Sequence, residues 1–352
     1  MKFLIYSDNH WSQYSSILRQ RGEKYSIRLG NQIESINWAE ELAQSCNCDY
    51  VFHLGDFFDA PTLNSEEITA LKEINWSDIP HVFLVGNHEI GLRSLEFNSL
   101  NSLASVSNFS IIDSITNMSF DDFDVLLIPY TFESDRPKLS DYCKDNRKRI
   151  IFSHNDIKGI QMGKFVSVDG FDIEDINNHC DLFINGHLHN GEKINDKIIN
   201  VGNLTGQNFS EDAFKYDHVA LLLDTDDMSV AVFRNPYALN FYKLDFTEDC
   251  SIDTINRISE SLGLNAILTV RCKEKDVSYL RKRFGNEPDI IVPHCCKVIT
   301  SRFIIVPDVS DTNSTQIEDL VRVDHFQMFK DYMLENIGES DIVLSELQEL
   351  CK

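Results

Sequence analysis

Five short polar motifs, each directly behind an apolar run, constrain the fold of this chain more than any other feature. The motifs are Asp8-Asn9-His10, Gly55-Asp56-Phe57-Phe58-Asp59, Gly86-Asn87-His88-Glu89, Ser153-His154-Asn155 and Gly186-His187-Leu188-His189. The runs before them are Phe3–Tyr6, Val51–Leu54, Val82–Val85, Ile150–Phe152 and Leu182–Ile184. Short apolar runs of this kind are typical of strands. Because α/β sheets build their sites at strand ends, we expect the motif side chains to meet at one sheet edge.

The residue types in the motifs are those of a divalent metal site. Carboxylate, imidazole and amide ligands suit manganese, iron, zinc or magnesium, and the lack of thiolates argues against a structural zinc site. A carboxylate can bridge two ions about 3.5–4 Å apart, and such a pair holds both ends of an in-line phosphoryl displacement. One motif alone would be weak, since Gly-Asn is also an ordinary turn. Five in a fixed order predict a two-metal phosphoesterase site.

The motif order D-x-H, G-D-x-x-D, G-N-H-[DE], H and G-H-x-H resembles the calcineurin-like metallophosphoesterases over residues 2 to about 205. The resemblance implies an α/β fold in which a two-layered β-sheet sandwich is flanked by helices. By motif position, the ligands of one ion would be Asp8, His10 and His189, those of the other Asn87, His154 and His187, and the bridge Asp56. His88 would be an outer-sphere catalytic histidine that meets the scissile phosphate.

A second pattern resembles one branch of that superfamily. Asn200-Val201-Gly202-Asn203-Leu204, followed by Phe209 and Glu211, is similar to a [YF]-[IV]-G-[SN] turn with a later Phe and Glu. That pattern belongs to the SbcD family of DNA-repair nucleases, called Mre-eleven in eukaryotes. The resemblance implies a DNA exonuclease or endonuclease that acts with an SbcC-type, SMC-like ATPase in double-strand-break processing and recombination. Its cofactors would be two divalent ions, with manganese expected and magnesium as the alternative.

Composition changes along the chain predict three parts. Residues 1–246 form the metallophosphoesterase domain, residues 247–306 resemble the small α+β capping domain of SbcD-like nucleases, and residues 307–352 are a linker and helical tail. The capping segment is the most basic part of the chain, which fits either a DNA-facing edge or an ordinary solvated helix face. Apolar residues recur at helical spacing in the tail, which either docks the ATPase or folds back on its own domain. The resemblance to SbcD-like nucleases also implies a homodimer within a heterotetramer.

The charge of the chain argues against tight DNA binding by this chain alone. It has 56 acidic residues and 32 Lys and Arg, a formal net charge of −24. Nucleic-acid binding normally draws on Lys and Arg, so non-specific affinity should be weak and a partner should supply the basic groove. Two divalent ions would still place positive charge where a phosphate sits. No apolar stretch approaches 18 residues and no signal pattern opens the chain, so we expect no membrane contact and a cytoplasmic location.

Three alternatives share these motifs. Protein Ser/Thr phosphatases continue the second motif to G-D-x-V-D-R-G, whereas Ala60-Pro61 follow Asp59 here. The last residue of the third motif, Glu89, does match the phosphatases, since nucleases usually have Asp at this position. Small-molecule phosphodiesterases seldom carry both a capping domain and a tail. Non-catalytic scaffold subunits have usually lost metal ligands, and this chain keeps all seven. No G-x-x-x-x-G-K-[ST] motif occurs, so any ATP hydrolysis would come from a partner.

Hydrophobic periodicity and turn residues also predict the remaining elements. Helices are expected over residues 28–47, from Ser65, over 93–105, near 138–146, from Ser251 and over 275–284. Strands are expected over residues 109–112, 117–120, 124–128, 197–201, 218–224, 229–234, 239–246, 266–270 and 297–305.

Overall fold

All five apolar runs that precede a motif form strands. The structure is a computed structural model, and it describes residues 1–18, 21–143, 147–162, 165–285 and 298–306. The strands are β1 (Lys2–Tyr6), β2 (Tyr50–His53), β3 (His81–Leu84), β4 (Ile90–Gly91), β5 (Ser94–Asn98), β6 (Phe109–Ile112), β7 (Thr116–Ser119), β8 (Phe123–Ile128), β9 (Lys148–Ser153), β10 (Gln161–Met162), β11 (Phe165–Val166), β12 (Leu182–Asn185), β13 (Glu192–Lys193), β14 (Ile198–Asn200), β15 (Val219–Asp224), β16 (Ser229–Arg234), β17 (Asn240–Asp245), β18 (Ala266–Lys273) and β19 (Val298–Val306). The helices are α1 (Ile27–Ser45), α2 (Ser65–Ala70), α3 (Leu139–Tyr142), α4 (Ile173–His179), α5 (Ile252–Ser261) and α6 (Val277–Phe284).

Two six-stranded sheets carry the motifs. The first has the order β16-β15-β1-β2-β3-β6, and the second has the order β13-β14-β12-β9-β8-β7. β1, β2 and β3 are parallel neighbours in the first sheet, and β9 and β12 are parallel neighbours in the second. The expectation of a single sheet edge is therefore wrong, because three motifs follow strands of one layer and two follow strands of the other.

Alternation of side chains along β1 explains how the layers pack. Phe3 and Ile5 lie in the apolar core between the sheets, while Leu4 and Tyr6 point to the opposite face, towards α1. The inner core also contains Phe52, Leu54, Val82, Leu84, Val125, Leu127, Ile150, Phe152, Leu182 and Ile184. Side chains of this size, when fully buried, each contribute about 1.5–3 kcal/mol. A third core covers the outer face of the second sheet and includes Leu139 of α3 and Ile176 of α4. The expected sandwich flanked by helices is confirmed.

A separate three-stranded sheet, in the order β17-β18-β19, follows the sandwich. It packs with α5 and α6 around its own apolar core, which includes Leu244, Leu268, Leu280 and Phe284. β17 belongs to this sheet, although the sequence placed it in the first domain. The described residues as far as Ile305 fall within one compact unit. The boundaries at residues 246 and 306 stay predictions, and the predicted tail helices lie outside the described residues.

Most of the predicted local elements are present, with one clear error. The helix expected from Ser65 is α2, and Asn64 caps it in a capping box with Glu67. The helix predicted over residues 93–105 is wrong. Leu92 and Arg93 have φ of 53° and 55°, which reverses the chain into the β4–β5 hairpin, and only Ser99–Ser102 then form a 3₁₀ turn. The helix predicted near 138–146 is observed only as α3, and residues 144–146 lie outside the description.

No helix in the described part of the chain combines the length and apolarity that crossing a bilayer requires.

A buried carboxyl on α1 generates a stability prediction. Glu40 accepts a hydrogen bond from the Ser77 amide at 3.1 Å and lies 3.4 Å from both the Tyr6 hydroxyl and Nε2 of His81. Burial raises the pKa of Glu40 to about 7. An unfolded Glu loses its proton near pH 4.3. The folded state therefore holds this proton more tightly, and stability falls as pH rises from about 4.3 through 7.

Glu40→Gln should raise the stability of the protein at pH 8 by roughly 2–3 kcal/mol, because the amide stays neutral and can keep the same contacts. The gain should shrink at pH 5.5, where Glu40 itself is protonated. Thermal unfolding between pH 5.5 and 8.5 measures the difference. Glu41→Gln, on the exposed face of the same helix, is the matched control. A gain that does not vary with pH would show that the carboxyl charge is not its cause.

Candidate metal centre

The motif loops adopt an unusual backbone conformation. Asp8, His10, Asp56 and His187 have φ of 53°, 46°, 49° and 75°. Few residues other than glycine occupy this left-handed region, which costs free energy and is concentrated at functional sites. These left-handed residues lie in the first, second and fifth motif loops and bend those three loops as they leave their strands. The strain therefore falls on the residues that the motifs single out.

Two motif glycines allow the loops to touch. A Cβ atom on Gly86 would lie 2.2 Å from Oδ1 of Asp56, and one on Gly55 would lie 2.3 Å from Nδ1 of His154. No side chain fits at either position without moving a motif residue. The glycines are therefore required by close approach, in addition to the positive φ of 90° at Gly55.

Glu89 ties the second and third motifs together. Its buried carboxylate accepts hydrogen bonds from the backbone amides of Asp56, Phe58 and Gly86 at 3.2, 3.0 and 2.6 Å. Burial, together with the nearby Asp56 carboxylate, raises the pKa of Glu89 to about 8, against the effect of the amide donors. Glu89 thus shapes the loop that presents Asp56. The sequence treated this residue only as a marker of family.

The first group of predicted ligands is Asp8, His10 and His189. Nε2 of His10 and Nε2 of His189 face each other at 3.0 Å. Asp8 Oδ1 lies 4.0 Å from Nε2 of His10, is buried, and has no hydrogen-bond partner in the described structure. Buried polar atoms normally have a partner. These three atoms converge on one point, as the ligands of a cation do.

The second group is Asn87, His154 and His187, with Asp56 beside it. Asn87 Oδ1 lies 3.2 Å from Nε2 of His154 and 2.9 Å from Nδ1 of His187. Asp56 Oδ2 lies 3.1 Å from Nε2 of His154 and 3.8 Å from Nε2 of His10. Asp56 is therefore the carboxylate between the two groups, where a bridging ligand belongs.

An oxygen atom lies behind each of the four histidines and fixes which nitrogen faces the centre. Nδ1 of His10 contacts Asp59 at 2.9 Å, Nδ1 of His189 contacts Glu211 at 2.9 Å, Nε2 of His187 is 3.3 Å from Asp156, and Nδ1 of His154 contacts the Leu54 carbonyl at 2.6 Å. Metal-binding histidines almost always donate their second N–H to such an oxygen. The sequence assigned no role to Asp59 and Asp156. The sequence did contain one indication of this supporting role, because each of these two carboxylates lies within or close to a motif.

These contacts make the centre suited to cations. If Nδ1 of His10 and of His189 carry the protons, both Nε2 atoms are lone-pair acceptors that face each other. Burial raises the pKa of Asp56, but the neighbouring His154 outweighs burial and holds that pKa well below its usual range. Burial lowers the pKa of His154, and Asp56 outweighs it and raises that pKa to about 9. A proton on Nε2 of His154 would therefore compete with a metal ion for the same position.

His88 lies beside the two groups and is more accessible. Its ring is 4.5 Å from the ring of His10, its side chain is 42% exposed, and its Nδ1 is 3.1 Å from the Asp59 carbonyl. Its backbone amide donates to Asp56 Oδ1 at 2.9 Å. Its ring nitrogens are also close enough to His10 and Asp56 to join a metal group. The placement fits the predicted outer-sphere role, which stays a prediction.

The structure thus brings all seven predicted ligands together in the two expected groups. Their donor atoms are imidazole nitrogens and carboxylate or amide oxygens, which suit divalent metals. Metal ligation by these seven residues stays a prediction.

Glu211→Gln should weaken manganese binding about 10–100-fold, because the loss of the carboxylate behind His189 frees the ring and lowers its basicity. Isothermal titration calorimetry with MnCl₂ on metal-free protein measures the change. Glu192→Gln, on an exposed strand, should bind manganese like the unmodified chain. Equal affinity in both variants would contradict the positioning role of Glu211.

Comparison with known proteins places this geometry in a family. The sequence signature of the calcineurin-like phosphoesterases matches residues 1–224. Similar solved structures include a dimetal phosphatase from Danio rerio (14% identity, 66% of this chain and 98% of that one, TM-score 0.41) and the protein TT1561 of Thermus thermophilus (11%, 66% and 98%, TM-score 0.40). The calcineurin-like phosphoesterase YfkN from Bacillus subtilis is also similar (11%, 66% and 88%, TM-score 0.33). No curated protein matches the sequence. The chain belongs to the calcineurin-like phosphoesterase family, whose members are metal-dependent hydrolases of phosphoesters.

Proposed function

We propose that this chain is a two-metal DNA nuclease of the SbcD type. The observation that carries the proposal is the position of the segment from Asn200 to Glu211, which resembles the nuclease branch in sequence. Glu211 supports His189 with one carboxylate oxygen and accepts from the Asn203 side chain and the Gln207 amide at 2.9 and 2.7 Å with the other. Through Glu211, the nuclease-like turn therefore contacts the predicted ligand His189.

The turn itself depends on close backbone contact. Gly202 has φ of 78°, and a Cβ atom there would lie 2.5 Å from the amide nitrogen of Gly191, just behind the last motif. The side chain of Gln207 donates to the Asp8 carbonyl at 3.1 Å, which links the turn to the first motif as well. A generic connection between two strands would not require these contacts. They support assignment to the branch that carries the G-[SN] turn with its later Glu.

The chain's own residues have defined tasks in phosphodiester hydrolysis. When bound, two divalent ions would activate a water nucleophile and stabilise charge on the phosphoryl oxygens. Asp59 contacts both His10 and His88 through their Nδ1 atoms, so it orients a predicted ligand and the catalytic histidine together. With Nδ1 held by the Asp59 carbonyl, His88 presents Nε2 to a substrate oxygen. There it can stabilise charge or donate a proton to the leaving oxygen.

The donor set narrows the choice of metal without fixing it. Each group contains two imidazole nitrogens, which argues against an ion that favours an all-oxygen environment such as Mg²⁺, and the mixed nitrogen and oxygen donors suit manganese, iron or zinc. On the resemblance to the SbcD family we propose manganese as the working ion, with magnesium as the alternative.

A protein phosphatase is the second candidate. Glu89 is the residue that phosphatases carry at the end of the third motif, and its three amide contacts make it integral to the centre. The same contacts are compatible with either substrate class. Ala60 stands directly after Asp59, where the phosphatase motif has Arg, and this difference favours the nuclease.

The proposed partners are DNA and an SbcC-type ATPase, with two copies of this chain in a heterotetramer. A net charge of −24 gives the chain little intrinsic attraction for a phosphate backbone. A partner that supplies the basic surface would remove this limitation. We propose residues 307–352 as its binding segment. The full-length chain should co-purify with the ATPase, and a chain ending at Pro307 should not; retained binding would move the contact elsewhere.

Manganese-dependent digestion separates the two candidate functions. The protein should cut linear DNA and hydrolyse the diester bis(p-nitrophenyl) phosphate, with little action on the monoester p-nitrophenyl phosphate. His88→Ala should keep both ions but lose about 10²–10⁴ in rate on both diesters, as expected for loss of a charge stabiliser or general acid. Calorimetry with MnCl₂ provides the control for metal content. Preference for the monoester would favour the phosphatase. Near-unchanged turnover in His88→Ala would refute the catalytic role of His88, and loss of bound metal in this variant would make His88 a ligand.

A further inference from the structure

The loop after β8 carries two aromatic rings to the edge of the metal centre. The Tyr130 ring lies 6.0 Å from the ring of His187, and the Phe132 ring lies 5.5 Å from that of Tyr130 at an angle of 81°. Both side chains are only partly buried. The guanidinium of Arg93 lies over Phe132, 5.6 Å from its centroid. We refer to Tyr130, Phe132 and Arg93 as the aromatic ledge.

The loop that carries the ledge is held rigidly. Asn155, the last residue of the fourth motif, accepts from the amide and the hydroxyl of Thr131 at 2.9 and 2.7 Å and donates to the Pro129 carbonyl at 3.0 Å. The Tyr130 amide donates to the Val85 carbonyl at 2.8 Å. The rings are thus fixed relative to two motif loops. A binding surface that is rigid beforehand loses less entropy when it binds.

The third member of the ledge comes from a strained turn. Leu92 and Arg93 connect β4 to β5 and both have positive φ, although neither is glycine. Positive φ at both positions is what a two-residue hairpin turn requires, and Leu and Arg adopt it at a higher cost in free energy than the usual Asn and Gly. Leu92 is 86% exposed, so packing of its side chain does not explain the turn. The turn does place Arg93 over Phe132, only five residues after His88.

We propose that the aromatic ledge binds an unpaired base next to the scissile phosphate of a nucleic-acid strand. This inference rests on the proposed nuclease function and narrows its substrate to single-stranded segments or frayed ends. Every base has a face that stacks on an aromatic ring, and such stacking does not depend on attraction between the protein and the phosphate backbone. A chain with net charge −24 therefore gains affinity for a strand through rings. Arg93 adds a cation to the stack.

The test compares 12-residue oligo(dT) with an oligonucleotide of the same length that carries abasic residues throughout, both with manganese. Phe132→Ala should raise KM for oligo(dT) roughly 5–100-fold, the range expected for one lost stacking contact. Phe132→Trp should restore it, and Arg93→Ala, at an exposed turn, should raise KM by a smaller factor. Phe214→Ala is the matched control, since Phe214 is also exposed and contacts a tyrosine, Tyr242, at 4.7 Å.

The abasic oligonucleotide identifies the contact. The unmodified protein should already show a raised KM on it, and Phe132→Ala should add little, because the base and the ring act as one pair. An unchanged KM of Phe132→Ala and Arg93→Ala on oligo(dT) would overturn the ledge while the nuclease stands. If Phe132→Ala raised KM by the same factor on both oligonucleotides, the aromatic ledge would also be overturned, because the ring would then act through the fold and not through a base. If the unmodified protein cuts no oligonucleotide, the ledge and the nuclease function fail together.

Discussion

The centre depends on metal-binding atoms of several side chains that face one another at close range. Two imidazole nitrogens, those of His10 and His189, face each other at 3.0 Å, and the other nitrogen of each ring is held by a carboxylate. Asp8 Oδ1 is buried close by without a partner in the described structure. Such an arrangement is stable only with positive charge inside it, supplied by protons or by metal ions. The strained loops, the glycines and the buried Glu89 all hold these atoms in place.

The sequence indicated which side chains would lie close together, because the motifs specify both residue type and position at a strand end. The end of a strand determines the position of the residue in the fold, and the preferences of divalent metals determine which residue types can bind them. The supporting carboxylates were harder to find. Glu211 lies 22 residues after His189, and only folding of the Gly202 turn brings them together. Asp59 was part of a motif, but its spacing does not reveal that it contacts both His10 and His88.

The errors in the fold also have local causes. Residues 93–105 contain leucines at spacings compatible with a helix, but two left-handed residues at the start commit the chain to a hairpin. Propensity cannot foresee that strain, because tertiary contacts such as Arg93 over Phe132 sustain it. The sequence also could not show that the motifs are divided between two sheets. Each strand carries the same apolar signal in either layer, and only the pairing of β1 with β2 and of β9 with β12 assigns them.

An acidic chain could still bind a nucleic-acid strand if positive charge were concentrated at the metal centre, where the proposed hydrolysis would occur. Two divalent ions would offset the local carboxylates, and the aromatic rings beside His187 would hold a base without drawing on surface charge. The central claim is that the seven converging side chains hold two ions. Anomalous scattering from manganese-soaked crystals tests it most directly. The account predicts two peaks about 3.5–4 Å apart, one on each side of Asp56. A single peak, or peaks away from these seven residues, would contradict it.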